Sequence, residues 1–213
     1  MSRNLKIYSV LLGEFIALGA VLLLSSGDDD VPEIKTEDAR VVRDNSHRLS
    51  TSDDKVVFVE FLDFECEACG AFYPYIEQLR EDYEGRVTFV ARYFPLSGHF
   101  NAERAARAVE AAAQQDNFEE MYKKMYDTQK AWAEQRVPAD DTFRQYAVDL
   151  GLDMAKWDID YNSTETLERI RQDQADGEAL GVNSTPTFFL NGERFEPESF
   201  ESFTEAFDAA LDA

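Results

Sequence analysis

Residues 56–69 read Val56-Val57-Phe58-Val59-Glu60-Phe61-Leu62-Asp63-Phe64-Glu65-Cys66-Glu67-Ala68-Cys69. A nearly continuous apolar and aromatic run marks a central strand covered on both faces, and it hands over directly to a Cys-x-x-Cys pair. Glu60 interrupts the run on the same strand face as Phe58 and Leu62, where a carboxylate is costly unless it is partnered or used, and where burial raises its pKa. Cys66 and Cys69 are the only cysteines of the 213 residues. So short a loop gains little stability from a disulfide, and the chain holds no second cysteine or histidine pair to complete a zinc site, His47 and His99 being its two histidines. The pair therefore reads as a dithiol that exchanges with the thiols of another molecule, with no metal and no cofactor beyond its own disulfide.

Working outward, Phe72, Tyr75, Ile76 and Leu79 form the apolar stripe of a helix from near Cys66 to about Tyr83, with Pro74 inside it expected to kink it. Gly85 closes this unit, and a second strand over Arg86–Phe94 makes a strand-helix-strand crossover with a parallel pair. From His99 to Leu180 the apolar spacing is helical throughout, with breaks at Asp116-Asn117, around Pro138 and at Gly151. Sheet character returns in Thr187–Leu190 and Glu193–Phe195, joined by Asn191-Gly192, a hairpin signal because both central residues of such a turn need positive φ. A last helix carries Phe200, Phe203, Phe207 and Leu211 on one face.

Before this domain, Arg3 and Lys6 precede an apolar stretch from Ile7 to Leu24, and Asp28, Asp29 and Asp30 follow it. That polarity predicts an N-terminus inside and the rest outside a membrane. The stretch would span roughly 27 Å at about 1.5 Å per residue. Glu14 makes it a marginal span, and no clean small-x-small site follows Leu24, which favours an uncleaved signal-anchor over a secretory signal. Residues 25–50 are polar and short of aromatics and read as a tether, with a short edge strand expected at Arg40–Arg43. A net charge of −22 excludes nucleic acid as a partner, since phosphate recognition needs a basic face.

The order of elements with Cys66 and Cys69 opening the first helix resembles the thioredoxin fold, and the helical insertion resembles that of the DsbA-like thiol-disulfide oxidoreductases. The resemblance covers roughly residues 40 to 213 and rests on the cysteine pair, Pro74, Glu60 and Thr185-Pro186 in order. It implies an α/β thioredoxin-like fold divided as 51–98, a helical insertion at 99–180, and 181–213, with the Thr185-Pro186 bond cis. It implies Cys66 as nucleophile, its thiolate favoured by the helix N-terminus, and Cys69 as the buried resolving thiol. Glu60 would exchange the proton of Cys69, and Thr185 and Pro186 would form the edge on which an extended substrate docks. Glu67-Ala68 stands where strongly oxidising DsbA has proline-histidine. Glu67, with Glu65 and Asp63 near, opposes a negative sulfur, so these two residues are expected to tune the pair toward a milder oxidant. His99, a single histidine in Phe94-Pro95-Leu96-Ser97-Gly98-His99, is set aside as a cap or packing residue.

The expected activity is extracytoplasmic oxidation of reduced secreted proteins by a monomer, reoxidised by a quinone-linked membrane protein of DsbB-like or vitamin K epoxide reductase-like type, as the resemblance implies. A disulfide isomerase or reductase kept reduced by a membrane electron carrier is the competing enzyme reading. A non-catalytic binding module on the same fold is the third, and such a module has no need of Glu60 or of both cysteines.

Overall fold

The computed structural model describes residues 39–213 apart from Asp54. The anchor expected at residues 1–24 and the first part of the tether lie outside the described residues. No helix among the described residues is long and apolar enough to cross a membrane.

Five strands form one sheet in the order β1-β3-β2-β4-β5, with β1 at His47–Arg48, β2 at Val57–Leu62, β3 at Thr88–Tyr93, β4 at Thr187–Leu190 and β5 at Glu193–Phe195. β2 pairs parallel with β3 and antiparallel with β4, and its backbone partners at Glu60 are Ala91 and Phe188. The crossover between β2 and β3 is α1, Glu67–Asp82, which runs through Pro74. The helical block follows as α2 (Ala102–Ala113), α3 (Phe118–Thr128), α4 (Asp140–Asp149), α5 (Met154–Tyr161) and α6 (Thr164–Ala179), and α7 (Glu201–Leu211) ends the chain. At the hairpin Asn191 and Gly192 both take positive φ, 50° and 86°, as that turn demands.

Alternation along β2 sorts the core onto two faces of the sheet. Phe58 and Leu62 face α1, α7 and the insertion, in a cluster where the Phe58 ring meets Phe89, Phe188, Phe203 and Phe207 at centroid distances of 5.2–5.9 Å. Val59 and Phe61 face a smaller cluster with Val90, Phe94, Val182 and Phe189. Glu60 shares the large face with Phe58 and Leu62, so the carboxylate enters the side of the sheet on which α1 and the cysteines lie.

The edge strand falls at His47–Arg48 instead of Arg40–Arg43, and residues 39–50 are packed where a tether was expected. The reason is an ion network that propensity does not encode. Arg92, fully buried on β3, donates from Nε to Asp173 at 2.6 Å and from Nη2 to Asp176 at 2.7 Å, both on α6. Its Nη1 donates to the carbonyls of Arg40 (2.9 Å) and Val41 (2.7 Å), while Arg43 donates through Nη2 to Asp176 at 2.7 Å. The 40–43 backbone is thereby bent over the α6–β3 seam and cannot lie along a strand. Leu49, 8% exposed, then reaches the core.

Removing Arg92 leaves Asp173 to Arg169 and Asp176 to Arg43 but takes the donors from the carbonyls of Arg40 and Val41, so Arg92→Met is expected to lower stability by about 1–3 kcal/mol. Urea unfolding measures it; a loss under about 1 kcal/mol would show that the network does not hold the N-terminal segment down.

Candidate active site

Cys66 is the N-cap residue of α1, in extended conformation at φ −69°, ψ 119°. The turn that delivers it is held by Asp63, whose carbonyl accepts the Cys66 N–H at 3.1 Å and whose Oδ1 accepts the Glu65 N–H at 2.8 Å. Both cysteines are free thiols, Cys66 7% exposed and Cys69 1%. The Cys66 Sγ–H donates to the Thr185 carbonyl at 3.3 Å, across a Thr185-Pro186 bond that is cis. The strand β2 and the segment ahead of β4 thus bring together Cys66, Cys69, Thr185 and Pro186, residues up to 120 positions apart in the chain.

The two sulfurs are driven in opposite directions. The hydrogen bond from Cys69 does most to bring Cys66 down to about 5, assisted by the Thr185 side chain and the backbone N–H groups of Cys69 and Ala68, against an opposing contribution from burial. Burial, the hydrogen bond given to Cys66 and the charge of Glu60 push Cys69 well above the ordinary thiol value. Glu60 itself, 5% exposed, is raised to about 8, mainly by burial and then by the charges of Cys66 and Glu77. At neutral pH the site accordingly holds a thiolate at Cys66, a protonated thiol at Cys69 and a protonated acid beneath them.

The acids around the cysteines behave differently from their bare sequence reading. Asp63 and Glu65 are each 1% exposed and engaged. Glu65 accepts the backbone N–H groups of Asn101 and Glu134, and Asp63 Oδ2 accepts the Leu96 N–H at 3.0 Å and lies 2.6 Å from His99 Nδ1. They tie the active-site turn to the insertion. Glu67, on the exposed first turn of α1, is the acid left facing solvent. Ala68 contributes to the sulfur through its backbone N–H.

Two residues belong to this site that the sequence did not single out. His99, expected as a cap or packing residue, pairs with Asp63, and that bond above all raises its pKa to about 9, with the charge of Cys66 adding to it. Its place at the head of the insertion, directly after Leu96-Ser97-Gly98, was the available signal. Gln129, 7% exposed, donates from Nε2 to the carbonyls of Phe64 and Cys66, each at 2.8 Å. Gly70 makes room for it: a Cβ there would lie 2.0 Å from Gln129 Oε1. Nothing local in the sequence marks Gln129, because its partners are backbone atoms more than sixty residues away. Beside Pro186 a shallow cavity of about 240 Å³ is lined by Phe72, Phe188 and Phe195 among others.

Residues 44–209 match the family described as Thioredoxin. Among curated relatives, the Na(+)/H(+) antiporter NhaA 1 of Mycobacterium sp. (strain KMS) is 36% identical over 172 residues, 78% of this chain and 27% of that protein. NhaA 3 of Salinispora tropica is 36% identical over 170 residues, 79% of this chain and 25% of that protein. The chain thus spans about a quarter of the length of these relatives. Among solved structures, a thioredoxin-like oxidoreductase from Silicibacter pomeroyi superposes with a TM-score of 0.67 at 26% identity, covering 80% of this chain and 95% of that one. BdbD from Bacillus subtilis gives 0.71 at 19%, covering 79% and 94%, and α-DsbA1 from Wolbachia pipientis 0.71 at 18%, covering 80% and 93%. The last two share the DsbA-like fold, sheet and helical insertion together.

Two titrations follow. Absorbance of the reduced protein at 240 nm is expected to show one thiolate appearing near pH 5 that is lost in Cys66→Ser; a midpoint near the ordinary thiol value of 9.0 would contradict the geometry. Between about pH 4.5 and 8 the folded chain keeps on Glu60 a proton that the unfolded chain has released, so stability falls as pH rises through that window. Glu60→Gln is expected to flatten this slope and to be more stable than the parent at pH 8, measured by urea unfolding of the oxidised protein. An unchanged slope would mean that Glu60 is ionised in the fold.

Proposed function

We propose that this chain, which belongs to the thioredoxin family, is an extracytoplasmic protein thiol-disulfide oxidoreductase that donates the Cys66–Cys69 disulfide to reduced secreted proteins. The observation that carries this reading is the opposed state of the two sulfurs: a Cys66 favoured as thiolate and still 7% exposed, above a deeper, protonated Cys69. Such a pair stabilises the reduced form, and a disulfide whose reduced form is stabilised passes its oxidation onward.

In the reaction, a substrate thiolate attacks Cys66 of the disulfide; the S–S bond breaks, and Cys69 leaves and takes a proton from Glu60. A second substrate thiolate then attacks the substrate sulfur of the mixed disulfide, and Cys66 departs as the stabilised thiolate. The substrate loses two electrons and two protons; the enzyme gains the electrons, one proton ends on Cys69 by way of Glu60, which is reprotonated, and the other is released to solvent. The Thr185 backbone beside Cys66 offers an edge to an extended substrate, and the apolar cavity at Pro186 offers a place for one of its side chains. Glu67-Ala68, which puts an acid on the exposed turn and no histidine beside the sulfur, supports a milder oxidant than a proline-histidine pair there.

The apolar segment Ile7–Leu24, with basic residues before and acids after it, supports a single-pass anchor with the catalytic domain outside. A quinone-linked membrane oxidant of DsbB-like or vitamin K epoxide reductase-like type would restore the disulfide by accepting two electrons. The antiporter activity named for the curated relatives belongs to proteins about four times longer than the matched part and is not carried over.

The test is exchange with a two-cysteine peptide. The oxidised protein is expected to oxidise it stoichiometrically and Cys66→Ser to be inert; Cys69→Ser, given oxidised glutathione, is expected to hold the Cys66–glutathione mixed disulfide while one glutathione thiolate leaves. Glu60→Gln is expected to slow the Cys69-dependent step by about tenfold or more. No exchange by the parent protein, or exchange retained in Cys66→Ser, would overturn the reading. Trapping thiols in cells separates the directions: a mainly oxidised pair fits an oxidase, a mainly reduced one an isomerase or reductase.

A further inference from the structure

Cys66 becomes a stable thiolate at the end of a stretch rich in acid, and neither Glu67 nor Ala68 between the cysteines brings a positive charge. Any cation that adds to the hydrogen bonds at this sulfur therefore comes from another part of the fold. Of the three acids near the sulfur, Glu65 is turned onto two backbone N–H groups and Glu67 faces solvent. Asp63 is the hub. Its carbonyl holds the Cys66 N–H, its Oδ1 holds the Glu65 N–H, and its Oδ2 holds both the Leu96 N–H and His99 Nδ1. One side chain thus fixes the imidazole to the turn that carries the nucleophile.

We propose that His99, held in place by Asp63, is the cation that stabilises the Cys66 thiolate. It is a positioning residue contributed by the insertion, and it deepens the oxidoreductase reading on which it rests. Three features support it. His99 is paired through Nδ1 to a buried carboxylate at 2.6 Å, which favours the imidazolium and leaves only Nε2 free. The His99 side chain is 24% exposed, so its charge is only partly screened from the sulfur. Finally, the charged groups coupled to it are Asp63, Cys66 and Glu65, all acidic, and together they hold it protonated up to about pH 9. The insertion then contributes to the chemistry as well as to the packing: the loop that opens it supplies the charge that the residues between the cysteines lack.

The experiment uses His99→Asn, whose side-chain amide N–H reproduces the Nδ1 hydrogen bond to Asp63 without the charge. In the reduced, folded variant the 240 nm titration of Cys66 is expected to move to higher pH, equivalent to a roughly three- to tenfold loss of thiolate at a pH near the midpoint. The equilibrium constant with glutathione is expected to shift in the less oxidising direction by a similar factor. The parent and the variant should converge above about pH 9, where the imidazolium is lost. His99→Lys, which keeps the charge, should retain a depressed Cys66 value. A folded His99→Asn protein with an unchanged Cys66 titration overturns the proposal, and so does lowered thermal stability as its sole effect, since a packing role predicts that alone. Both readouts are made on the purified dithiol without a substrate. They remain decisive if peptide oxidation fails, and failure of the proposal would leave peptide oxidation standing.

Discussion

A negative sulfur at the end of a buried strand is the constraint around which this fold is arranged. The chain reaches Cys66 through six residues that are almost wholly inside, and it leaves through a helix whose first turn offers unpaired N–H groups. Placing Cys66 at the N-cap satisfies both demands. The sulfur stands at the head of the first turn of α1, beside Cys69 and the Thr185 carbonyl, and it stays close enough to the surface to be attacked. Cys69, one turn deeper, gets the reverse environment from the same geometry.

The rest of the molecule supports that turn from three directions. Asp63 and Glu65 fasten it to the head of the insertion, Gln129 holds the carbonyls of Phe64 and Cys66 from the short helical turn that follows α3, and Thr185 closes it from the segment before β4. The insertion is therefore part of the active-site wall. Beneath, Glu60 is the one carboxylate on the large-core face of β2, and its burial keeps a proton next to the thiol that must receive one. In a chain with 43 acidic residues and a net charge of −22, the acids at this turn are managed by burial and pairing.

Much of this was legible in the sequence, for local reasons. The β2 run, the cysteine spacing, the Asn191-Gly192 turn and the helical stripes depend on neighbours within a few residues, and each lies where its pattern puts it. Thr185 and Pro186 beside the sulfur, and Glu60 beneath it, were implied by the family resemblance that those residues carry. What escaped was long-range and polar. Arg92 in a strand carries no mark that it will bind two aspartates on α6 and bend residues 40–43 away from the sheet edge. Gln129 serves carbonyls, which have no sequence signature. His99 lacked a partner at any recognisable spacing, because that partner, Asp63, lies 36 residues earlier. Nothing local marks that the oxygens of Asp63 and Glu65 are engaged by backbone amides and, at Asp63, by His99.

The central claim is that the fold stabilises the dithiol form with Cys66 ionised, and the reduction potential of the Cys66–Cys69 pair tests it most directly. Equilibration of the protein with reduced and oxidised glutathione at pH 7 gives that number. The account predicts a value more oxidising than the glutaredoxin range, above about −200 mV, and short of the about −120 mV of the strongest oxidant of this kind. A value at or below the about −270 mV of thioredoxin would contradict it, because the fold would then favour the disulfide over the thiolate it is built to hold.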